Sequence, residues 1–424
     1  MVPLSDIHVF TSAAINYLPK VRLLCSSLKK FHPEFKVHFA VADELPEWFD
    51  PKNEPFDNVI PISDLGIPNR YSWIFRHSIV ELSTGIKPYV LRALLATAGC
   101  RAVLYFDPDI VLFSRLDDLL AELNNGSVLL TPHQNKPEKS VEAIIDNEIC
   151  SLRTGVFNLG FIGVLNDQEG REFTEWWAER LYHFCQAAYE MHLFTDQKWI
   201  NLAPVFFDRV KILKNSRFNV ATWNITTRKV AGSFRDGFSV DDEPLGFYHF
   251  SGFDSGAINI MANKYGNDNP AVMSLIRWYD EQTRGEGDEM IQKSPWAFGS
   301  FSNGVEITKG HRSLYRLRRD LQEAFPNPFL VPPNDNSYYQ WFEWRAAIEH
   351  PEIVAPSQSS EPGGFQIPDV PLLYSKRVDW ARLRMYLRLA QRDRTQAYRY
   401  AYRLWRIFKL EGLRGIKRRL AVRV

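Results

Sequence analysis

The sequence is poor in cysteine, with Cys25, Cys100, Cys150 and Cys185 the only four in 424 residues. They stand far apart and form no Cys-x-x-Cys pair, which speaks against a zinc site and against a small disulfide-stapled secreted domain. Free thiols in a reducing cytosol are expected. Long apolar runs are also missing, and nothing approaches the ~20 uninterrupted apolar residues of a membrane-spanning helix. The N-terminus, MVPLSDIHVFTSAA, has no basic segment leading into an apolar one, so no signal peptide is expected and the chain reads as soluble. Neither charge predominates: 51 Lys/Arg face 50 Asp/Glu, a net of +1.

What is present supports a large core. The chain is 45% hydrophobic and 14% aromatic, which excludes wholesale disorder. Its length suits one large domain with appendages, or two to three domains. The balanced charge hides an uneven distribution: Ser375 to Val424 carries 16 Lys/Arg against 3 Asp/Glu, a net of +13, and leaves −12 on the rest.

Along the first third, strand-like and helix-like segments alternate. IHVFTSAA, KVHFAVAD, NVIPIS and RAVLYF read as strands; YLPKVRLLCSSLKKFHP and KPYVLRALLATA read as helices. This alternation predicts an α/β fold with a Rossmann-like, mostly parallel central sheet and flanking helices. Ligands of such sheets bind at the carboxyl ends of strands. SVLLTPHQ, GVFNLGFIGVLN and GFYHFSG read as later strands, with a long amphipathic helix in REFTEWWAERLYHFCQAAYEM. From about residue 262 the pattern loosens. The expected organisation is an α/β domain over 1–260, a loop-rich and helical appendage over 261–374, and a basic amphipathic helical tail over 375–424.

The apolar strand RAVLYF ends in Asp107-Pro108-Asp109. Buried carboxylates are costly without a compensating partner. Two of them one residue apart can converge on Mg²⁺ or Mn²⁺, which prefer oxygen ligands and are often shared with substrate phosphates. Asp-Pro-Asp is also good turn chemistry, so the pattern alone leaves both readings open.

Four segments together resemble the retaining family 8 group of GT-A glycosyltransferases, the glycogenin and bacterial galactosyltransferase type. VLYFDPDIVLF is similar to the family's DxD strand, FNLGFIGV (157–164) to its FNxG strand, TDQKWIN (195–201) to its DQxxLN segment and YHFSG (248–252) to its HxxG segment. They occur in the family's order over roughly residues 7–255. The resemblance implies Asp107, Asp109 and His249 as ligands of Mn²⁺ or Mg²⁺, and Asp196 and Gln197 at the donor's anomeric centre. It implies donor contacts from Thr11, Tyr17, Arg92, Asp107, Asn158, Gly160 and Gly252. Lys87 is a second candidate for the cationic task of Arg92. Each residue also has a bland reading. Thr195 or Asp196 can cap a helix, Gly160 can mark a strand kink, Arg92 can face solvent, and His249 can be a hydrogen-bonded core histidine.

Two departures from the family bear on the donor. No carboxylate precedes Asn16-Tyr17 in TSAAINY, so base recognition falls to Thr11, Tyr17 and backbone groups. No Lys-Pro-Trp follows Gly252, so the cation for the leaving diphosphate must come from Lys264, an arginine elsewhere, or the metal alone. His133, Trp223 and Asn224 are candidate acceptor contacts, an aromatic face and amides being suited to sugar rings and hydroxyls.

The implied activity is metal-dependent transfer of a sugar from a nucleotide-sugar donor, a UDP-hexose, to a glycan or lipid-linked acceptor. Retention, and a place in surface polysaccharide or lipopolysaccharide synthesis, are expected. An inverting transferase with Asp196 as base, or a carbohydrate- or nucleotide-binding module without turnover, are the alternatives. A sugar-nucleotide-forming nucleotidyltransferase would need a Gly-rich basic phosphate loop that TSAAINY lacks. In the tail, apolar residues from Leu383 to Phe408 and arginines from Arg384 to Arg406 fall at helical spacing. That favours an anionic membrane surface, hence a cytoplasmic enzyme at the inner face of the plasma membrane; packing on the acidic domain is the alternative. No recognition module accompanies the tail, so no nucleic-acid partner is expected.

Overall fold

Apolar runs bounded by turn residues become the strands of one central sheet. The computed structural model describes residues 6–266, 268–285, 288–333, 336–354, 374–378 and 421–423. In chain order the strands of the large unit are β1 (Ile7–Ala13), β2 (Lys36–Val41), β3 (Asn58–Pro61), β4 (Ala102–Phe106), β5 (Ile110–Leu112), β6 (Val128–Pro132), β7 (Phe157–Leu165), β8 (Ala187–Ala188), β9 (Leu193–Phe194), β10 (Val210–Ile212), β11 (Val230–Ser233), β12 (Gly237–Val240), β13 (Glu243–Pro244) and β14 (Phe247–His249). Seven form the central sheet in the order β10-β6-β7-β4-β1-β2-β3. β7 runs antiparallel to β4 and β6, while the remaining neighbours are parallel. The fold is thus α/β with a mostly parallel sheet, as the alternation of elements implies.

Both faces of the sheet are covered, so β1 and β4 are buried along their whole length, and β4 reads as a continuous apolar run. Successive residues of β4 alternate between two cores. Ala102, Leu104 and Phe106 pack with Val21, Leu24 and Leu28 of the helix Leu18–Phe31. Val103 and Tyr105 pack on the other side with the helices Lys87–Leu95 and Gln168–Phe184. By the period-2 rule the Val103–Tyr105 side also faces the start of the helix Lys87–Leu95, and this matters for Asp107.

The chain leaves β3 at one edge and returns as β4 on the far side of β1. That reversal beside β1 is the switch point where open α/β sheets make ligand crevices, and Asp107 follows β4 there. After the turn, β5 pairs antiparallel with β14, setting Ile110 opposite His249. This three-residue ladder lies outside the main sheet.

Residues beyond 260 join the same body. Phe301, Tyr315, Phe329 and Tyr338 ring Phe75 with centroids 5.0–5.8 Å away, and Trp296 Nε1 donates to the Ala42 carbonyl at 2.9 Å. Within the appendage, a continuous helical run extends from Tyr338 to Glu349 with one π turn. By its internal contacts the chain divides into Met1–Gly364 and Phe365–Val424. In the second unit the described residues are Tyr374–Val378 and Ala421–Arg423, an antiparallel strand pair. The amphipathic pattern over 383–408 lies outside the described residues. No helix among the described residues is long and apolar enough to cross a membrane.

Candidate active site

Strand β4 delivers Asp107, and the Asp-Pro-Asp turn closes with Ile110 N–H donating to the Asp107 carbonyl at 3.0 Å. The ladder then brings His249 to the carboxylates: its Nε2 lies 3.0 Å from Asp109 Oδ1 and 3.7 Å from Asp107 Oδ2. One ligand atom from each residue falls within 4.8 Å of the others. His249 is almost wholly buried, whereas the two carboxylates are a fifth to a quarter exposed. The cluster therefore opens on one side.

The imidazole is oriented by its other nitrogen. Asn158 Oδ1 accepts the Gly160 N–H at 3.2 Å and also faces His249 Nδ1 at 3.1 Å. Asn219 Oδ1 lies 3.3 Å from the same nitrogen. Two acceptors at Nδ1 fix a proton there and turn Nε2 to Asp107 and Asp109. Nε2 is buried, with those two carboxylates as its near partners. An imidazole nitrogen that meets two carboxylate oxygens is a donor set that fits Mn²⁺ or Mg²⁺. Burial works against a charged His249, but Asp109 and Asp107 outweigh it and hold the imidazole above its ordinary value. Burial likewise opposes ionisation of Asp109, and His249 overrides it and draws the carboxyl down.

Gly160 makes this packing sterically feasible. A Cβ there would lie 2.5 Å from His249 Cε1 and 2.7 Å from Asn158 Oδ1. Its carbonyl accepts the Asp107 N–H at 2.8 Å, so one residue of β7 serves both metal-facing segments.

A second cluster adjoins the first. Lys87, at the start of the helix Lys87–Leu95, directs Nζ to Asp196 Oδ2 at 2.8 Å, Asp107 Oδ1 at 3.3 Å and the Leu159 carbonyl at 3.0 Å. Tyr105 OH donates to the same Asp107 oxygen. Burial disfavours the Lys87 ammonium, but Asp107 and Asp196 more than compensate and raise its pKa. Asp196 is pushed up by burial despite the lysine. Its neighbour Thr195 holds φ at 44°, an uncommon conformation for a β-branched residue and one that concentrates at functional sites. Asn219, with φ at 52°, is a second such residue touching His249.

The structure gathers Asp107, Asp109, His249, Asn158, Gly160 and Asp196 into one locus. Gln197 adjoins it, but its amide is engaged with backbone at both ends, accepting from Leu159 N–H and donating to the Thr154 carbonyl, each at 3.1 Å. Trp223 stacks edgewise on His249 at 5.3 Å and His133 on Trp223 at 5.6 Å. Buried His133 Nδ1, Trp223 Nε1, Gln134 Oε1 and Asn219 Nδ2 make no hydrogen bond. Asn224 instead spends its side chain on the carbonyls of His133 and Asn219 and on Ala221 N–H, shaping the turn that presents Trp223.

Arg92 is not brought to the carboxylates. Five residues beyond Lys87, it lies on the outer helix face, pairs with Glu175 at 3.3 Å and is 39% exposed; Lys87 is the cation at the site. Thr11 is buried in β1 with an unbonded hydroxyl. Tyr17 donates its hydroxyl to Asp254, which also holds Lys20. Gly252 (φ 76°) forms the turn into the helix Ala257–Tyr265, and Lys264 is committed to Asp146 and Glu142. Sequence reading missed Tyr105 and Lys20. It also missed Asp43 at the end of β2, which supplies a carboxylate to the Ile15 N–H at 3.3 Å, just where the Asn-Tyr turn has no acidic residue before it.

No protein-family model matches the chain. Among curated proteins it is similar to the uncharacterized protein YfnD of Bacillus subtilis (strain 168), 25% identical over 301 residues, 66% of this chain and 91% of that protein. Solved structures with some likeness include the galactosyltransferase LgtC in complex with donor and acceptor sugar analogues, at 16% identity and a TM-score of 0.40, covering 68% of this chain and 97% of that one. The glycosyltransferase GlyE of Streptococcus pneumoniae TIGR4 gives 16% identity and 0.38, over 68% of this chain and 62% of its own. Likenesses this distant carry little beside the site geometry itself.

Proposed function

We propose that the chain is a metal-dependent GT-A glycosyltransferase that moves a hexosyl unit from a UDP-sugar to a glycan or lipid-linked acceptor. The observation that carries this reading is the convergence of His249 Nε2 with the carboxylates of Asp107 and Asp109, at the carboxyl end of a buried strand. A divalent cation held by these three residues would neutralise charge that develops on a leaving nucleoside diphosphate.

The chain's own groups account for the rest. Lys87 and Asp196 form a buried pair beside Asp107 and fix a carboxylate where a donor sugar would meet it; orientation of this kind lowers barriers. Gln197 holds the backbone of β7 to the segment ending at Gly155 and so sets the floor of the same pocket. Beside His249, the half-buried Trp223 ring offers an apolar face for a sugar. No separate general base is needed for retention, in which the acceptor hydroxyl attacks on the side of the leaving phosphate and passes its proton to it. Synthesis of surface polysaccharide or lipopolysaccharide fits such an acceptor.

The test is a donor screen on the full chain. UDP-, GDP- and dTDP-sugars are incubated with and without Mn²⁺, nucleotide release is followed, and product configuration is read by NMR. Metal-dependent release from one UDP-hexose, lost in Asp107→Ala, and an axial product from an axial donor are expected. No release from any donor, in a chain that still binds nucleotide, would favour a binding module; inverted product would assign Asp196 the role of base.

A further inference from the structure

Among the described residues, the lysines and the arginine considered for a diphosphate are already engaged. All three hydrogens of Lys87 are directed to Asp196, Asp107 and the Leu159 carbonyl. Lys264 is held by Asp146 and Glu142, and Arg92 by Glu175. Lys20 differs from these. It lies in the first turn of the helix Leu18–Phe31 and is 5% exposed, with its ammonium against the Tyr17 ring at 4.2 Å. Its Nζ also lies 5.6 Å from the ring centroid of Phe253, on the segment after His249 whose Phe250 N–H donates to the Asp109 carbonyl at 2.8 Å, so it stands beside the segment that carries the metal-facing residues.

The partner of Lys20 is unusual for so buried a cation. Asp254 grips Nζ with both oxygens, at 2.5 and 2.6 Å, and accepts the Tyr17 hydroxyl as well, yet it is 53% exposed. It rides on the short segment that follows His249, bracketed by Gly252 and Gly256 with φ of 76° and 75°. Both glycines adopt a backbone region that other residues rarely visit, so the segment is built around two permissive pivots. Two anionic oxygens on a lysine and a phenol reproduce the contacts a phosphate would make there.

Resting on the glycosyltransferase reading above, we propose that Lys20, with Tyr17, is the cation that receives the donor's diphosphate, and that Asp254 is its built-in substitute, displaced when the donor enters. The carboxylate keeps the buried ammonium paired in the free chain. A diphosphate, itself carrying more charge and bridging toward Asp107 and Asp109, takes its place, and the segment 251–256 pivots out. Asp254 thus competes with donor and lowers its apparent affinity by the fraction of chains in which the carboxylate is seated.

The experiment measures binding of UDP, and separately of inorganic pyrophosphate, to the full-length chain with saturating Mn²⁺ by calorimetry. Asp254→Asn should tighten both on the order of tenfold. Lys20→Met should weaken both by at least as much, Lys20→Arg should restore most of the loss, and Lys20→Met/Asp254→Asn should bind no better than Lys20→Met alone. Mn²⁺ binding without nucleotide and thermal midpoints report whether each variant is folded. Unchanged or weaker binding by Asp254→Asn, in a chain whose wild type binds Mn²⁺ and UDP, overturns this inference and leaves the glycosyltransferase reading standing. Wild type and variants that all bind Mn²⁺ but neither UDP nor pyrophosphate overturn both.

Discussion

Replacing Gly160 by alanine tests how the site is built. Gly160 does not have a positive φ, so the substitution carries no backbone strain, only a collision. The new Cβ would stand 2.5 Å from His249 Cε1, 2.7 Å from Nδ1 and 2.7 Å from Asn158 Oδ1. Reaching ordinary contact near 3.4 Å needs a retreat of about 0.9 Å by a ring that is 2% exposed, flanked by Trp223 and tied to Asn158 and Asn219. Metal–ligand bonds tolerate shifts of only about 0.2 Å. Disturbing the group that orients a ligating histidine typically costs 10–100-fold in metal affinity, or about 1.4–2.8 kcal/mol. Global stability should fall by about 1–3 kcal/mol, the usual cost of overpacking. Gly163→Ala on the same strand is the milder control, because its Cβ would meet Leu104 Cδ2 at 3.0 Å and Leu129 Cβ and Cδ1 at 3.3 and 3.4 Å, away from the histidine. Mn²⁺ titration by calorimetry, paired with urea unfolding, separates the two effects. A folded Gly160→Ala chain with wild-type Mn²⁺ affinity would refute the assignment of His249 as a ligand.

Other outcomes follow from the same geometry. Lys87→Met leaves Asp196 and Asp107 without their shared cation and should cost roughly 3–5 kcal/mol in denaturant unfolding, whereas Arg92→Ala breaks an exposed pair and should cost under about 1 kcal/mol with Mn²⁺ binding unchanged. His38 and His311 are buried, and burial, with His8 acting on the first and Arg312 on the second, lowers each to about 4. The unfolded chain takes up these protons near 6.5 and the folded chain does not. Stability present above that pH should therefore be lost as pH falls from about 6.5 toward 4, by up to roughly 3 kcal/mol per residue. Unfolding free energies measured from pH 7.5 to 4.5 should show that slope, and it should be shallower in His38→Gln. Asn158→Ala removes the acceptor that fixes the His249 tautomer and should weaken Mn²⁺ binding about tenfold; equal affinity would show that Asn219 alone sets the ring.

Much of the fold was legible because strands buried on both faces are largely apolar: β4 is an unbroken apolar run, and β1, β2 and β7 are interrupted by only a few polar residues such as His8, His38 and Asn158. Asp107 and Asp109 stood out for the same reason, as charges at the end of such a run. Their partner His249 was legible only through resemblance, since the ladder that delivers it is three residues long and too short for periodicity. Lys87 and Arg92 lie on one helix and differ by which face they present. Helical spacing separates the faces but does not say which one meets the end of β4. Lys20 and Asp254 are 234 residues apart, and no local pattern couples them. The left-handed backbone of Asn219 and its approach to His249 emerge only from the packing of the turn at Asn224.

The most direct test of the central assignment is pulsed electron paramagnetic resonance of one Mn²⁺ bound to the full chain with UDP. The account predicts nitrogen modulation from a single imidazole, present in the wild type, absent in His249→Gln, and lost together with the bound Mn²⁺ in Asp109→Ala. A nitrogen-free Mn²⁺ signal in the wild type, or a signal unchanged in His249→Gln, would contradict it.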